Sequence, residues 1–310
     1  MNGESGGRIG VVLMAYGTPG STDEILPYYT DIRRGRPPTD EQLADLTRRY
    51  NAIGGLSPLA ELTERQRDAL QRQLDLLAPQ RYTVTIGLKH ANPSIEAAVD
   101  LLAAAGVEQI IGLVLAPHYS AYSVGQYLDR ARTAAAAHEI SVVGVESWAT
   151  ESALIEFLTA DLSRRLTAMP GRAHVLFTAH SLPERIIATG DPYLAELRST
   201  AEAIAAKLGL DEGNEWSIAW QSAGRTPEPW LGPEILSVID QLGADETTDG
   251  VIVCACGFVA DHLEVLYDLD IEADHRADTH GLRFDRTACV NDTSTVMAAL
   301  AARVHAAAGE

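Results

Sequence analysis

The sequence predicts an α/β fold of two open, mostly parallel sheets, each flanked by helices. Three observations point there. Short runs rich in Val and Ile alternate with longer amphipathic stretches along most of the 310 residues. The short runs are almost continuous in apolarity, the pattern of strands covered on both faces. Four of them precede residue 150 and three follow it, so the chain reads as two similar halves.

The first strand is "IGVVLMAYG" at 9–17, followed by the breaker Thr18-Pro19. Helical stretches near 22–33, 40–51 and 58–78 lead to a second strand, "RYTVTIGLKH" at 81–90. A helix near 94–105 precedes "QIIGLVLAPH" at 109–118, and one near 123–138 precedes "ISVVGVES" at 140–147. The second half runs helix 152–168, strand "AHVLFTAHS" at 173–181, helix 193–208 and strand "WSIAWQS" at 216–222. It continues with helix 232–243, strand "GVIVCACGF" at 250–258 and helix 262–272, and a last helix fits 291–308. The domains predicted are 1–150 and 151–290, with 291–310 a helix that packs back on the first. No sequence repeat relates the halves.

Charge and composition narrow the function. The net charge is −19, which opposes binding to nucleic acid, whose phosphates need a basic footprint, and docking on anionic lipid. No apolar run approaches the roughly 20 residues of a membrane span, and no leader is read at the N-terminus. The expectation is a cytoplasmic monomer without stable membrane association. Only Lys89 and Lys207 are lysines, so arginine carries nearly all the positive charge. The cysteines are Cys254, Cys256 and Cys289. Three is an odd, low number that fits a reducing compartment. Cys254-Ala-Cys256 is not a Cys-x-x-Cys metal spacing, and both thiols read as small buried hydrophobes on one strand face.

Ligands of open parallel sheets bind at the carboxyl ends of strands. Here those ends carry Tyr16, Lys89-His90, Pro117-His118-Tyr119-Ser120, His180-Ser181 and Gln221-Ser222. After the last strand comes "FVADHLEVLYDLDIE", with acids at 261, 264, 268, 270 and 272 and no Lys or Arg. Ser181-x-x-Glu184 and Asp261-x-x-Glu264 both match a capping box. That leaves His180, Asp268 and Glu272 unexplained. Residues 264, 268 and 272 share one helix face, with Leu263, Leu266 and Leu269 as the apolar contact. Two readings fit: a solvated acidic face, or a line of carboxylates that cations follow toward a strand top. His180 at a neighbouring strand end adds the set used for metals and proton transfer. Arg33, Arg34, Arg36, Arg48 and Arg49 crowd one segment among interspersed acids. They form a mixed surface or a site for a carboxylate-bearing ligand. Dinucleotide, P-loop, zincin and hydrolase-elbow motifs are all missing.

Several stretches together resemble the ferrochelatase family: "VVLMAYGTP", "YYTDIRRGR", "RYNAIGGLSPL", "GLKH", "APHYSAYSVGQY", "FTAHSLPERI", "WQSAGRTPEPWLGP" and "GFVADHLEVLYDLDIE". The resemblance spans nearly the whole chain and is strongest for the Gram-positive-type branch, which metallates coproporphyrin III. It implies two Rossmann-like domains with the porphyrin in a cleft between them. By motif, His180 and Glu264 become the central catalytic pair. The metal set becomes His180, Glu264, Tyr16, Asp268 and Glu272, with a π-type helix carrying the acids. Tyr16, Arg33, Arg49, Tyr50, Ser57, His90, Tyr127 and Ser222 become substrate-binding positions. Ferrous iron and coproporphyrin III are the implied substrates. No tightly bound cofactor is expected, and no [2Fe–2S] cluster, since three cysteines cannot supply four thiolates and the matching internal position is Ala121. The rivals are a protoporphyrin IX ferrochelatase, a cobalt or nickel tetrapyrrole chelatase, and a two-domain binding protein without chemistry.

Overall fold

A computed structural model describes residues 7–224, 226–245 and 248–309. The chain divides into two compact units. One comprises the described residues of Met1–Ala116, Ser123–Ser147 and Asn291–Glu310; the other is Pro117–Tyr122 with Trp148–Val290. Each is α/β, with a four-stranded parallel sheet and helices around it. Residues 117–122, placed in the first half from sequence, are held in the second unit by Asp191, Glu196 and Thr200.

The first unit contains β1 (Ile9–Ala15), β2 (Tyr82–Leu88), β3 (Gln109–Val114) and β4 (Ser141–Val145). All seven residues of β1 are buried, because it is central and pairs with both β2 and β3 in the order β2-β1-β3-β4. Its helices are α1 (Ile25–Ile32), α2 (Asp40–Ala52), α3 (Leu59–Leu77), α4 (Ile95–Ala104), α5 (Val124–Ala136) and, from the C-terminus, α11 (Ser294–Ala307). Thr39 caps α2 in a reciprocal box with Gln42, and Ser94 caps α4 through the amide of Ala97. Arg65 of α3 grips Asp292 with two hydrogen bonds, at 3.1 and 2.6 Å, and Gln66 reaches the Asn291 carbonyl.

The second unit contains β5 (Ala173–His180), β6 (Trp216–Gln221), β7 (Gly250–Cys254) and β8 (Arg283–Arg286), in the order β6-β5-β7-β8. Strand β8 is absent from the sequence reading. It is a short edge strand reading RFDR, with no fully buried residue, so it lacks the apolar signal that marks the others. The helices are α6 (Ser152–Ala168), α7 (Arg185–Ala188), α8 (Tyr193–Leu208), α9 (Ile235–Ala244), a π-helix (Glu264–Ala273) and α10 (Asp274–Thr279). No helix among the described residues is long and apolar enough to cross a membrane.

Local tertiary partners displace three sequence readings. Neither proposed capping box forms. Ser181 gives its hydroxyl to the Leu231 carbonyl at 2.8 Å, and Glu184 begins α7 with no side-chain cap bond. The π-helix likewise starts at Glu264 without a side-chain cap, and Asp261 turns to Arg286 at 3.1 Å. The apolar row of the π-helix is Val265, Leu269 and Ala273, each fully buried, rather than Leu263, Leu266 and Leu269. Hydrogen bonds closed five residues back widen each turn beyond an α-helix, so buried positions recur every four residues. Strand β7 stops at Cys254. Cys256 lies in the turn that follows, with its amide on the Cys254 carbonyl. Gly257 is required there, since a Cβ would fall 2.4 Å from that of Ala179 in β5.

Candidate active site

The second unit gathers its chemistry at the carboxyl ends of β5, β6 and β7. His180 is the last residue of β5 and Gln221, its partner in register, the last of β6. The Nδ1–H of His180 donates to the Ser181 carbonyl at 2.5 Å. That bond fixes the tautomer and turns Nε2 toward Glu264 Oε1, 3.6 Å away. Glu264 Oε2 lies 3.6 Å from His262 Nε2, so the carboxylate sits between two imidazoles. His262 is anchored by its own Nδ1 on the Ala260 carbonyl at 2.9 Å. Burial opposes charge on both members of the central pair, but mutual attraction wins. Burial lowers His180, yet Glu264 and the Ser181 carbonyl carry its pKa above the ordinary value. Burial raises Glu264, yet His180 and His262 hold it well below the carboxylate range. Each side chain therefore favours the charged form of the other, and each is about a third exposed (36% and 35%).

The backbone around the pair is tied down. Tyr193 of α8 donates its hydroxyl to the His180 carbonyl at 3.0 Å. Gln221 offers its amide to the Glu264 carbonyl at 3.4 Å. Ser222 donates to Asp268 Oδ2 at 2.5 Å. It does so with φ at +60°, a left-handed backbone that costs a non-glycine residue about 1–3 kcal/mol. Asp268 is buried, and Glu272, one row-step further, is half-buried. The acidic run is not wholly uncompensated, as its sequence implies. Arg286 of β8 takes Asp270 at 2.5 Å and Asp261 at 3.1 Å, leaving 264, 268 and 272 as the row apart from it.

Segment 117–122 is fastened to this unit. Asp191 accepts from the Ser120 hydroxyl and the Ala121 amide, and Glu196 from the Tyr119 amide. His118 bonds Thr200, and burial lowers its pKa to about 3. All three cysteines are free and buried. Among the described residues, no group of three or more His, Cys, Asp and Glu side chains is arranged to hold a metal ion.

The first unit offers different chemistry at its strand ends. Tyr16 follows β1 and is 41% exposed, its ring 4.6 Å from that of His90. His90 Nδ1 meets Asp31 at 2.6 Å. Lys89 lies over the Tyr127 ring at 5.0 Å and donates to Gln126. Burial first, then repulsion from Arg130 and Arg34, lowers its pKa to about 8. Arg130 is clamped by Glu96 through two bonds, at 2.7 and 2.8 Å. Arg33 extends over the Tyr29 ring, with Nε on the Arg36 carbonyl. Arg49 pairs with Asp45 at 3.3 Å. Tyr50 (hydroxyl 3.3 Å from Thr18), Tyr127 and Ser57 (accepting from the Leu59 amide) are buried. The structure thus places Tyr16, His90, Arg33, Arg49, Tyr50, Ser57 and Tyr127 in the first unit, and His180, Ser222, Glu264, Asp268 and Glu272 in the second. Sequence reasoning assigned no role to Lys89 or His262. The signals were present: Lys89 is one of two lysines, and His262 interrupts the acidic run.

The model of the family described as Ferrochelatase matches residues 8–308. The chain belongs to the ferrochelatase family. Among curated relatives of this ferrochelatase, the coproporphyrin III ferrochelatase of Geobacillus thermodenitrificans is 42% identical over 299 residues, 94% of each chain. Coproporphyrin III ferrochelatase 2 of Bacillus cereus is 41% identical over 298 residues, 95% of this chain and 92% of the relative. A protein of Herpetosiphon aurantiacus named ferrochelatase is 42% identical, covering 92% of this chain and 94% of its own. Among solved structures, the sirohydrochlorin chelatase SirB of Bacillus subtilis subspecies spizizenii with cobalt aligns at TM-score 0.60 and 10% identity, over 97% and 96% of the chains. SirB of Bacillus subtilis with Fe3+ aligns at 0.56 and 12%. At that identity they show a shared fold alone.

Proposed function

We propose that this ferrochelatase inserts ferrous iron into coproporphyrin III, giving iron coproporphyrin in haem biosynthesis. The observation that carries the reading is the His180–Glu264 pair, held 3.6 Å apart at a strand end beside the buried carboxylate of Asp268. A free porphyrin carries two N–H protons, and metallation releases both as Fe2+ takes their place. His180 Nε2 is the acceptor, because Nδ1 is committed to the Ser181 carbonyl. Glu264 compensates the imidazolium that forms. Asp268 and Glu272 continue the carboxylate row along which a hard cation or a released proton moves. Iron here is substrate. The cations of the first unit, Arg33, Arg49 and Lys89, suit the carboxylates of the ring's side chains.

The relatives' names support coproporphyrin III as the ring, and the chain reads as a lyase-class chelatase. We also propose a cytoplasmic monomer without stable membrane association, resident cofactor or iron–sulfur cluster. The test is anaerobic: purified protein with Fe2+ and either coproporphyrin III or protoporphyrin IX, followed by absorbance. Faster metallation of coproporphyrin III supports the reading. Preference for protoporphyrin IX keeps the ferrochelatase and overturns the ring. Tight binding of both without metallation overturns the activity.

A further inference from the structure

Ser222 is conformationally out of place. Among the described residues, five that are not glycine have positive φ: Arg34, Gln80, Glu139, Ser222 and Asn291. The other four lie in connections beside helices or ahead of strands; Ser222 alone directly follows a strand at its carboxyl end. Glycine, asparagine or aspartate suits that backbone better than serine. A serine there is explained by use of its hydroxyl, and the hydroxyl is engaged: it donates to Asp268 Oδ2 at 2.5 Å. The residue before it, Gln221, completes a bracket. Its carbonyl accepts from the Ser181 amide at 2.7 Å, the residue next to His180, while its side-chain amide meets the Glu264 carbonyl. Two consecutive residues at the end of β6 thus touch the His180 strand end and two successive members of the acid row.

We infer that Ser222 is a positioning residue for the incoming metal ion, acting through Asp268, rather than a contact for the porphyrin. The left-handed backbone aims the hydroxyl, the hydroxyl fixes the orientation of the Asp268 carboxylate, and Gln221 holds the π-helix at the distance His180 requires. The inference rests on the ferrochelatase reading above for its substrate.

The deciding variants separate strain from hydroxyl. Ser222→Gly removes both, Ser222→Ala removes only the hydroxyl, and Ser222→Asn restores a donor on a residue that accepts this backbone. In Ser222→Gly the relief of strain offsets the lost hydrogen bond and the looser unfolded chain, so the melting temperature is expected to fall less than in Ser222→Ala. Its KM for Fe2+ is expected to rise about tenfold, with the coproporphyrin III KM within about twofold, as for one lost hydrogen bond to a charged group. Ser222→Ala shows the same KM split, and Ser222→Asn recovers most of it. Calorimetric titration of the porphyrin-free protein with Zn2+ is expected to show the same weakening without relying on turnover. A rise in the coproporphyrin III KM with the iron KM unchanged makes Ser222 a ring contact and overturns the inference. So does an unchanged Zn2+ affinity in Ser222→Gly. If the parent protein metallates no porphyrin, the functional reading falls, and the Zn2+ titration still decides the role of Ser222.

Discussion

The two units share one topology and differ in what they place on it. Renumbered within its own unit, each sheet has the strand order 2-1-3-4, and each central first strand delivers an aromatic or imidazole side chain: Tyr16 after β1, His180 at the end of β5. Around them the charge is reversed. The first unit sets Lys89, Arg130 and Arg34 near its strand ends; the second sets Glu264, Asp268 and Glu272 on a π-helix after its third strand. Ligands gather beyond strand ends in such sheets whatever the residues, so the fold supplies the place and the side chains supply the sign. One copy is equipped for carboxylates and the other for protons and cations.

The largest effect that sharpens this division is at the second unit's centre. His180→Ala is expected to slow metallation by about 10²–10⁴-fold, the usual contribution of a positioned general base, while coproporphyrin III still binds by fluorescence titration. A variant that metallates at the parent rate breaks the assignment. Next comes the first unit's contribution. Arg33→Ala is expected to weaken coproporphyrin III binding about tenfold, as for one charge-assisted hydrogen bond, and to leave the iron dependence alone. A change in iron dependence instead would dissolve the comparison.

Much of this was legible from the residues, and the failures share a cause. Strands buried on both faces announce themselves, as "IGVVLMA" does in β1. His180, Asp268 and Glu272 stood out because local rules could not absorb them. Strand β8 escaped because Arg286 and its neighbours face partial solvent. The acid run looked uncompensated because Arg286, 16 residues from Asp270, is invisible to a local window. Both capping boxes failed for a like reason: Ser181 has a partner 50 residues away, and Asp261 one 25 away. Segment 117–122 changes unit because Asp191 and Glu196 hold it, which no spacing reveals. Tertiary partners outcompeted short-range motifs wherever the two offered the same polar atom a bond.

A smaller effect tests the coupling within the second unit. Glu264→Gln removes the charge that carries His180 above its ordinary pKa of 6.5, so the rising limb of the metallation rate against pH is expected to move to lower pH. The same pair affects stability with a fixed sign. A raised histidine stabilises below its unfolded value and loses that contribution as pH rises; a depressed carboxylate stabilises above its own. Between the ordinary values of 4.5 and 6.5 the parent is therefore expected to melt above Glu264→Gln, with the gap closing at higher pH. A limb that stays in place shows that something other than Glu264 raises His180.

The smallest effect lies in the first unit and has opposite signs for binding and stability. Lys89, lowered to about 8 from 10.5 by burial and by its arginine neighbours, loses its charge as pH rises through that value. The carboxylates of coproporphyrin III are already ionised there, so affinity is expected to fall as pH rises through 8. Stability moves the other way. Between about 8 and 10.5 the unfolded chain binds the extra proton, so this group makes stability increase with pH. Melting curves and fluorescence titrations over one pH series therefore diverge in the parent, and both steps are expected to flatten in Lys89→Met. If affinity stays level through 8 while the stability step persists, the buried ammonium is a packing partner of Tyr127 and Gln126. The positive character of the first unit then rests on its arginines, which no accessible pH can discharge.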